Sequence, residues 1–499
     1  MIGILEVLIP SIILIVSALL TVPMINLIRK YDDRHGFLSI VWISTPFLAV
    51  TISILHLCFT YYAQAEEQPF VKVFLVSGMS AHLSSSFLVD AVSIYMAVVY
   101  LVVGLISCLY GILYIKIGNE LSERYFALMF MVLGSVMAAT FSGDLLTLFV
   151  FWEASAAGSC FLIIYRRSPE SIEACLKYLV MIIIASGFIV YGLSIIYGLV
   201  GSLNFWTVRE ALMALSDKRL LTIAFAFVAC GYAIETAVVP FHMWLPDAYT
   251  AAPSSSSAFL SAIVDQASYY IFLRVLVYIL TPPLILNWPF ALAVFSALTM
   301  TVGNLFALAQ SNVKRMISYV CVADIGYNLV AITSVKPLGV MGNLFFFFVG
   351  GMTTALAFMA VGILNNLGLK RLEDFSGIGR RLPMTSLALV IAVLSFSGIP
   401  PFAGFMAKYM VFTAAIEANM AWLAVVGVLN SLLQAAYLVR LVHYMYSKQP
   451  RRTIKGKEPR NLLVPVYALV ALIIALGIYP SLTLTMIYPA AQQLGLLAP

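Results

Sequence analysis

Val239-Pro240-Phe241-His242-Met243-Trp244-Leu245-Pro246 interrupts a long apolar stretch at 219–251. Ser397-Gly398-Ile399-Pro400-Pro401-Phe402-Ala403-Gly404 interrupts another at 384–418. A proline inside a helix removes a backbone donor and clashes with the preceding turn, so both stretches should break near their middle. Each is long enough to cross a bilayer, and irregular backbone at that depth persists only where protein or a water-filled cavity receives it.

Working outward, about fourteen stretches reach the roughly 20 apolar residues that a crossing needs. They lie near 2–28, 37–63, 88–116, 124–142, 145–165, 171–200, 219–251, 255–281, 288–311, 314–335, 338–366, 384–418, 420–447 and 461–487. The interrupted stretches are helices 7 and 12, at matching places in two five-helix blocks, helices 4–8 and 9–13. An odd-numbered block repeated in tandem must face the membrane in opposite senses, which gives an inverted-topology repeat. Two unrelated proline kinks are the alternative. The expected fold is an all-α polytopic membrane protein of about fourteen transmembrane helices, with two inverted five-helix repeats and helices 7 and 12 broken. The expected divisions are 1–120 (helices 1–3), 121–285, 286–450 and 451–499 (helix 14). Stretch 2–28 lacks a basic start and a cleavage site and reads as a retained helix. Alternation around Ser77-Gly78 within Gln68–Ser86 suggests a short surface hairpin.

Composition agrees. The chain has 499 residues, 62% hydrophobic and 10% charged, far too apolar for a soluble or a disordered chain. The net charge of +6 is a topology signal rather than a nucleic-acid footprint. Loops after odd-numbered helices carry 19 Lys/Arg, for example Arg166-Arg167 and Arg380-Arg381, against 5 in loops after even-numbered helices. The positive-inside rule makes the odd loops cytoplasmic and places both termini outside. Six scattered cysteines show no CxxC pair or His/Cys cluster and read as small apolar residues. No cofactor ligand set, dinucleotide loop or metal site is legible, so the chain carries no redox centre of its own by this reading.

Charged groups inside spans cost roughly 2.5–3.5 kcal/mol each on insertion scales and invite a functional explanation. They are Glu153 (helix 5), Lys177 (helix 6), Glu235 (helix 7), Asp265 and Arg274 (helix 8), Asp324 (helix 10) and Lys408 (helix 12). His242 lies in the helix 7 break, Gln266 adjoins Asp265, and Arg440 and His443 reach one membrane face. Spread over successive helices, such groups form either a line that passes protons or a set of static ion pairs. An organic-solute transporter would show one compact polar pocket instead.

Asp144-Leu-Leu-Thr-Leu-Phe-Val-Phe-Trp-Glu153, Glu173-Ala-Cys-Leu-Lys-Tyr178, Pro240-Phe-His-Met-Trp-Leu-Pro-Asp-Ala248 with Ala252-Pro253, Lys314-Arg-Met-Ile-Ser-Tyr319 with Gly326-Tyr327, and Gly398-Ile-Pro-Pro with Gly404 and Lys408 resemble one family. It comprises the antiporter-like subunits of complex I, of Mrp-type sodium/proton antiporters and of membrane-bound hydrogenases and related respiratory complexes. The resemblance spans roughly 88–447. It implies a fourteen-helix core with two inverted repeats, each holding a half-channel, joined by a central row of charges. It also implies partner membrane subunits in a redox-driven complex of an energy-coupling membrane, with protons, or sodium, as cargo and lipid around it. Glu153 resembles the family's helix 5 glutamate, Lys177 its helix 6 lysine and Lys408 its helix 12 ionisable residue.

The departures concern the other positions. The helix 7 lysine falls on Glu235, and the central helix 8 lysine falls on Gln266 beside Asp265. The helix 11 histidine and lysine fall on Gly350 and Thr354, and Asp324 stands where histidine or an uncharged polar residue is more frequent. Glu153 opposite Glu235 is then a like-charge pair, needing a proton or a nearby cation, for which Lys177 is the available protein group. Two functions follow. One is proton translocation or sodium/proton exchange through Glu153, Glu235, Asp265, Asp324 and Lys408. The other is a non-conducting spacer. The chain ends soon after helix 14, without the long lateral helix that some family members append.

Overall fold

The computed structural model describes residues 2–31, 37–65, 68–74, 85–115, 120–215, 217–280, 287–450 and 458–495. Twelve of its helices are long and apolar enough to cross a membrane. Helices 1 to 6 are Ile4–Tyr31, Phe37–Tyr62, Ala91–Ile115, Glu120–Thr140, Leu145–Ile163 and Pro169–Val200. Helix 8 is Ser254–Ile279, helix 9 Trp288–Leu308, helix 10 Val313–Ser334, helix 11 Pro337–Asn366, helix 13 Ala421–Ser447 and helix 14 Arg460–Ile478. The two interrupted stretches complete the set as half-helix pairs: 7a (Arg219–Glu235) with 7b (Trp244–Ala251), and 12a (Pro383–Phe396) with 12b (Ala403–Glu417).

Both breaks turn on a residue in the left-handed backbone region two positions past the half-helix, Ala237 (φ 54°) and Gly398 (φ 66°). Alanine there carries a Cβ penalty that glycine avoids, so surrounding contacts must hold the turn. They do. The freed Val239 N–H donates to Thr299 Oγ1 of helix 9 at 3.1 Å, and Trp244 Nε1 donates to Ile234 O at 3.1 Å. At the second break, Gly477 of helix 14 lies against the Pro401 carbonyl; a Cβ there would sit 2.0 Å from that oxygen.

Burial arranges the helices in layers. The apolar windows of helices 8, 10 and 11 are 100% buried, whereas those of helices 1, 2 and 6 are 33% buried and lie on the outside. Helix 8 is π-helical at Leu260–Val264 and Arg274–Ile279, on both sides of Asp265. A short helix, Phe205–Ala214, follows helix 6, and Ser481–Gly495 follows helix 14, so the expected span to residue 487 ends earlier, at Ile478. Antiparallel strands β1 (Val71–Phe74) and β2 (Ser86–Val89) pair, with Val71 opposite Val89, but β2 starts where the expected surface hairpin ends and is buried along its length. Ser77-Gly78 lies outside the described residues.

One cysteine expectation is overturned. Cys160 and Cys175 form a disulfide with Cα atoms 5.6 Å apart. The tight turn at Ile164–Arg166, closed by Arg167 at φ 52°, folds helix 6 back on helix 5 and brings the two residues opposite each other. A periodicity reading sees two apolar positions and misses their meeting across the hairpin.

Small residues let helices cross closely, as expected where no hydrophobic effect drives helix association. A Cβ at Gly231 of 7a would lie 2.5 Å from Ile189 Cγ1 and 2.9 Å from Ala185 O, both of helix 6. At Gly326 of helix 10 it would lie 2.4 Å from Met300 Cγ and 2.6 Å from Met300 N of helix 9. Gly326→Leu is therefore expected to cost about 1–3 kcal/mol and lower the thermal midpoint in detergent. Gly187→Ala, where nothing lies within 4 Å, should leave that midpoint unchanged.

Candidate functional site

Four ionisable groups line two small cavities, and Lys177, Asp247, Lys314 and Lys370 line a vestibule, the cleft between helices 6, 7b and 10. In the first half, Glu235 ends half-helix 7a and is 4% exposed. Its Oε2 accepts from Trp152 Nε1 at 2.5 Å, and its Oε1 has no partner. Asp265 accepts a short hydrogen bond from the Tyr249 hydroxyl of 7b. Trp152, Tyr178, Glu235, Tyr249, Asp265 and Ser268 line one cavity of about 20 Å³, room for about one water.

In the second half, Asp324 and Lys408 line a cavity of about 10 Å³ with Gly350, Thr353, Ser395 and Phe396. Lys408 Nζ donates to Phe396 O at 2.7 Å, Ser431 Oγ at 2.8 Å and Gln434 Oε1 at 2.6 Å, and sits 4.2 Å from the Tyr327 ring centre. Phe396 is the last residue of 12a, so the ammonium caps the negative end of a half-helix. Asp324 attracts it electrostatically and keeps Oδ1 unpartnered.

Between the halves, Tyr269 lies within electrostatic range of both Asp265 and Asp324, and it is 4% exposed. Gln266 turns the other way from the first cavity. Its Nε2 donates to Ser261 O at 3.1 Å, while Oε1 has no partner and would lie 4.0 Å from a Cβ on Gly350. A Cβ at Gly351 would lie 2.9 Å from Ala262 O, so the Gly350-Gly351 pair admits helix 8 against helix 11.

Other residues are placed differently from the expectation. Glu153 is only partly buried; its Oε1 accepts from Ser186 Oγ of helix 6 at 2.7 Å, and its charge repels Glu235. Lys177 does not stand between them. It bridges Glu173 at 2.8 Å and Asp247 at 2.9 Å, with its side chain 48% exposed. Helix 6 angles this lysine toward the vestibule, so the two glutamates lack the cation expected for them. His242 is buried at the break, stacked on Phe306 with ring centres 6.0 Å apart and both nitrogens unpartnered. Among the described residues no three His, Cys, Asp or Glu side chains converge for a metal.

Several groups escaped the sequence reading. The partner of Arg274 is one: this arginine, read as a charge inside a span, is 1% exposed and pairs with Asp90 at 2.6 Å. Asp90 had a signal in its Asp-x-x-Ser spacing, and its Oδ1 accepts from Ser93 N at 2.8 Å at the start of helix 3. Asp247 and Tyr249 stood beside the helix 7 motif, but only the fold gives them partners. Lys314, read as a loop cation, is 3% exposed and donates to Ala252 O and, at 3.3 Å, to Thr250 O, capping 7b.

Residues 142–434 match the family described as NADH:quinone oxidoreductase/Mrp antiporter, TM. The chain is 31% identical over 423 residues to F(420)H(2) dehydrogenase subunit N of Methanosarcina mazei, covering 82% of this chain and 85% of that protein. It is 33% identical over 411 residues to NADH-quinone oxidoreductase subunit N 2 of Koribacter versatilis, covering 81% and 83%. In fold it is similar to a chain of the Mrp complex from Dietzia sp., with a TM-score of 0.84, 23% identity and 97% of each chain covered. A chain of the membrane-bound sulfane sulfur reductase, an archaeal respiratory membrane complex, gives a TM-score of 0.84 at 25% identity, with 97% of each covered. The chain therefore belongs to the NADH:quinone oxidoreductase/Mrp antiporter transmembrane family. It is an antiporter-like, multi-pass membrane subunit, as its motifs implied.

Removing one member of the buried Asp90–Arg274 pair strands the other charge. Arg274→Gln is expected to cost about 3–5 kcal/mol, read as loss of folded protein in detergent, and Asp90→Leu with Arg274→Met should recover much of it.

Proposed function

We propose that this chain translocates protons as one subunit of a multi-subunit, redox-driven membrane complex. Partner subunits would handle the electrons. The carrying observation is that each half places two ionisable side chains on a water-sized cavity beside its broken helix, Glu235 with Asp265 and Asp324 with Lys408. The relatives from Methanosarcina mazei and Koribacter versatilis, named as dehydrogenase and oxidoreductase subunits, support the assembly.

The route runs from the basic vestibule to Glu235 and Asp265, across the helix 8–helix 10 contact near Tyr269, to Asp324 and Lys408. The excess of Lys/Arg in the odd-numbered loops makes the vestibule cytoplasmic and both termini extracytoplasmic. Glu153 acts from the side, by its charge on Glu235. Lys177 organises the vestibule through Asp247 and is not a carrier. Protons fit better than sodium, because the groups facing the first two carboxylates are N–H and O–H donors from Trp152 and Tyr249, and an indole N–H cannot ligate a cation.

A second reading, a spacer that joins neighbouring subunits without conducting, is favoured by the buried, aromatic contact between the two cavities and by Gln266 at the centre. One experiment separates the two. Lys408→Ala in the assembled complex is expected to reduce redox-driven proton uptake into vesicles about a hundredfold or more, with subunit composition unchanged. Unchanged uptake when Glu235, Asp265 and Lys408 are all neutralised would establish the spacer. Tyr249→Phe tests the first cavity: it frees one Asp265 oxygen, and uptake should change in its pH profile more than in its maximum.

A further inference from the structure

We infer that the cleft between helices 6, 7b and 10 holds the phosphate headgroup of an anionic phospholipid, with an acyl chain in the adjoining groove. The inference does not depend on whether the chain conducts.

The cleft encloses about 800 Å³ and is lined by five basic side chains, Arg166, Lys177, Lys314, Arg315 and Lys370, and three acids, Glu170, Glu173 and Asp247. Two of the acids are already engaged. Lys177 bridges Glu173 and Asp247, and Arg315 Nη2 holds Asp247 Oδ1 at 2.9 Å. Glu170 lies within electrostatic range of Lys370. Arg166 and Lys370 both repel Lys314, whose own bonds go to backbone carbonyls. Lys314 is buried and already bonded, so the positive charge open to a ligand lies on Arg166 and Lys370, which suits a phosphate.

The second observation is a groove of about 490 Å³ that shares Glu173, Lys177 and Asp247 with the cleft. Its remaining lining is Leu176, Val180, Met181, Met243 and Trp244, all apolar. Leu176 is 56% exposed, Val180 54% and Met243 61%, so the groove opens outward on the apolar outer surface of the chain. Depth agrees. Helix 6 has 32 residues, and at 1.5 Å per residue it exceeds the roughly 30 Å hydrocarbon core by about 9 Å at each end. Lys177, about 12 Å from the start of the helix, therefore lies at the boundary between headgroups and chains. A free anion would use the cleft alone, whereas a phospholipid uses both spaces.

The test is native mass spectrometry of the full chain released from vesicles of phosphatidylglycerol mixed with phosphatidylcholine. Phosphatidylglycerol should be retained in preference. Retention should fall about thirtyfold in Arg166→Gln/Lys370→Gln, as expected for two interfacial cations, and also in Val180→Trp/Met243→Trp, which fills the groove. Equal retention of the two lipids would overturn the proposal. So would loss of phosphatidylglycerol to inorganic phosphate with no effect of the groove variant, which marks a soluble-anion site. A photoreactive residue at Val180 in native membranes, independent of those variants, should capture phospholipid. Capture of a neighbouring subunit instead would also overturn the proposal.

Discussion

A helix that stops halfway across a bilayer leaves backbone groups open where no water competes for them, and the rest of this molecule is arranged around that constraint. Half-helix 7a ends at Glu235 and 12a at Phe396, so four helix termini face inward. Each unpaired carbonyl or N–H there would cost several kcal/mol in hydrocarbon. Thr299 and Trp244 meet that demand at the first break, and Lys408 and the close approach of helix 14 do so at the second. The same breaks adjoin two water-sized cavities in the buried helical core that are lined by ionisable groups. Polar backbone and titratable side chains thus share one solution.

The two halves meet the constraint with different chemistry. The first surrounds its carboxylates with neutral donors, Trp152 and Tyr249, while Glu153 and Lys177 stand aside on the surface and in the vestibule. The second sets an acid against a lysine within one cavity. Helix 8 passes between them, presenting Asp265 to one cavity and Gln266 toward Gly350, which lines the other. Its π-helical turns shift the side-chain register on both sides of Asp265, which is where such turns tend to occur in proteins.

Much of this was legible in the sequence. Proline pairs inside apolar stretches located both breaks, and apolar length located all the spans. Of the seven charges read in spans, Glu235, Asp265, Asp324 and Lys408 line the cavities, whereas Glu153, Lys177 and Arg274 lie elsewhere. What was not legible depended on lateral neighbours. Lys177 has the same period on its helix whether it faces Glu153 or Asp247, and only the packing of 7b against helix 6 decides. Asp90 reads as a helix cap until Arg274 arrives from 184 residues away. Cys160 and Cys175 look like core residues until the turn at Arg167 folds them together. Lys314 belongs to a basic loop until 7b places its carbonyl end on it.

The two breaks are capped by donors of different chemistry. The carbonyl of Ile234 is held by an indole, which carries the same hydrogen at every pH. The carbonyl of Phe396 is held by an ammonium with three donors, all used, and a neutral amine would keep two and lose the charge that strengthens them. A neutral donor thus closes the first half-helix and a charged one the second, while Glu235 and Asp265 bring ionisable groups to the first break through Trp152 and Tyr249 instead.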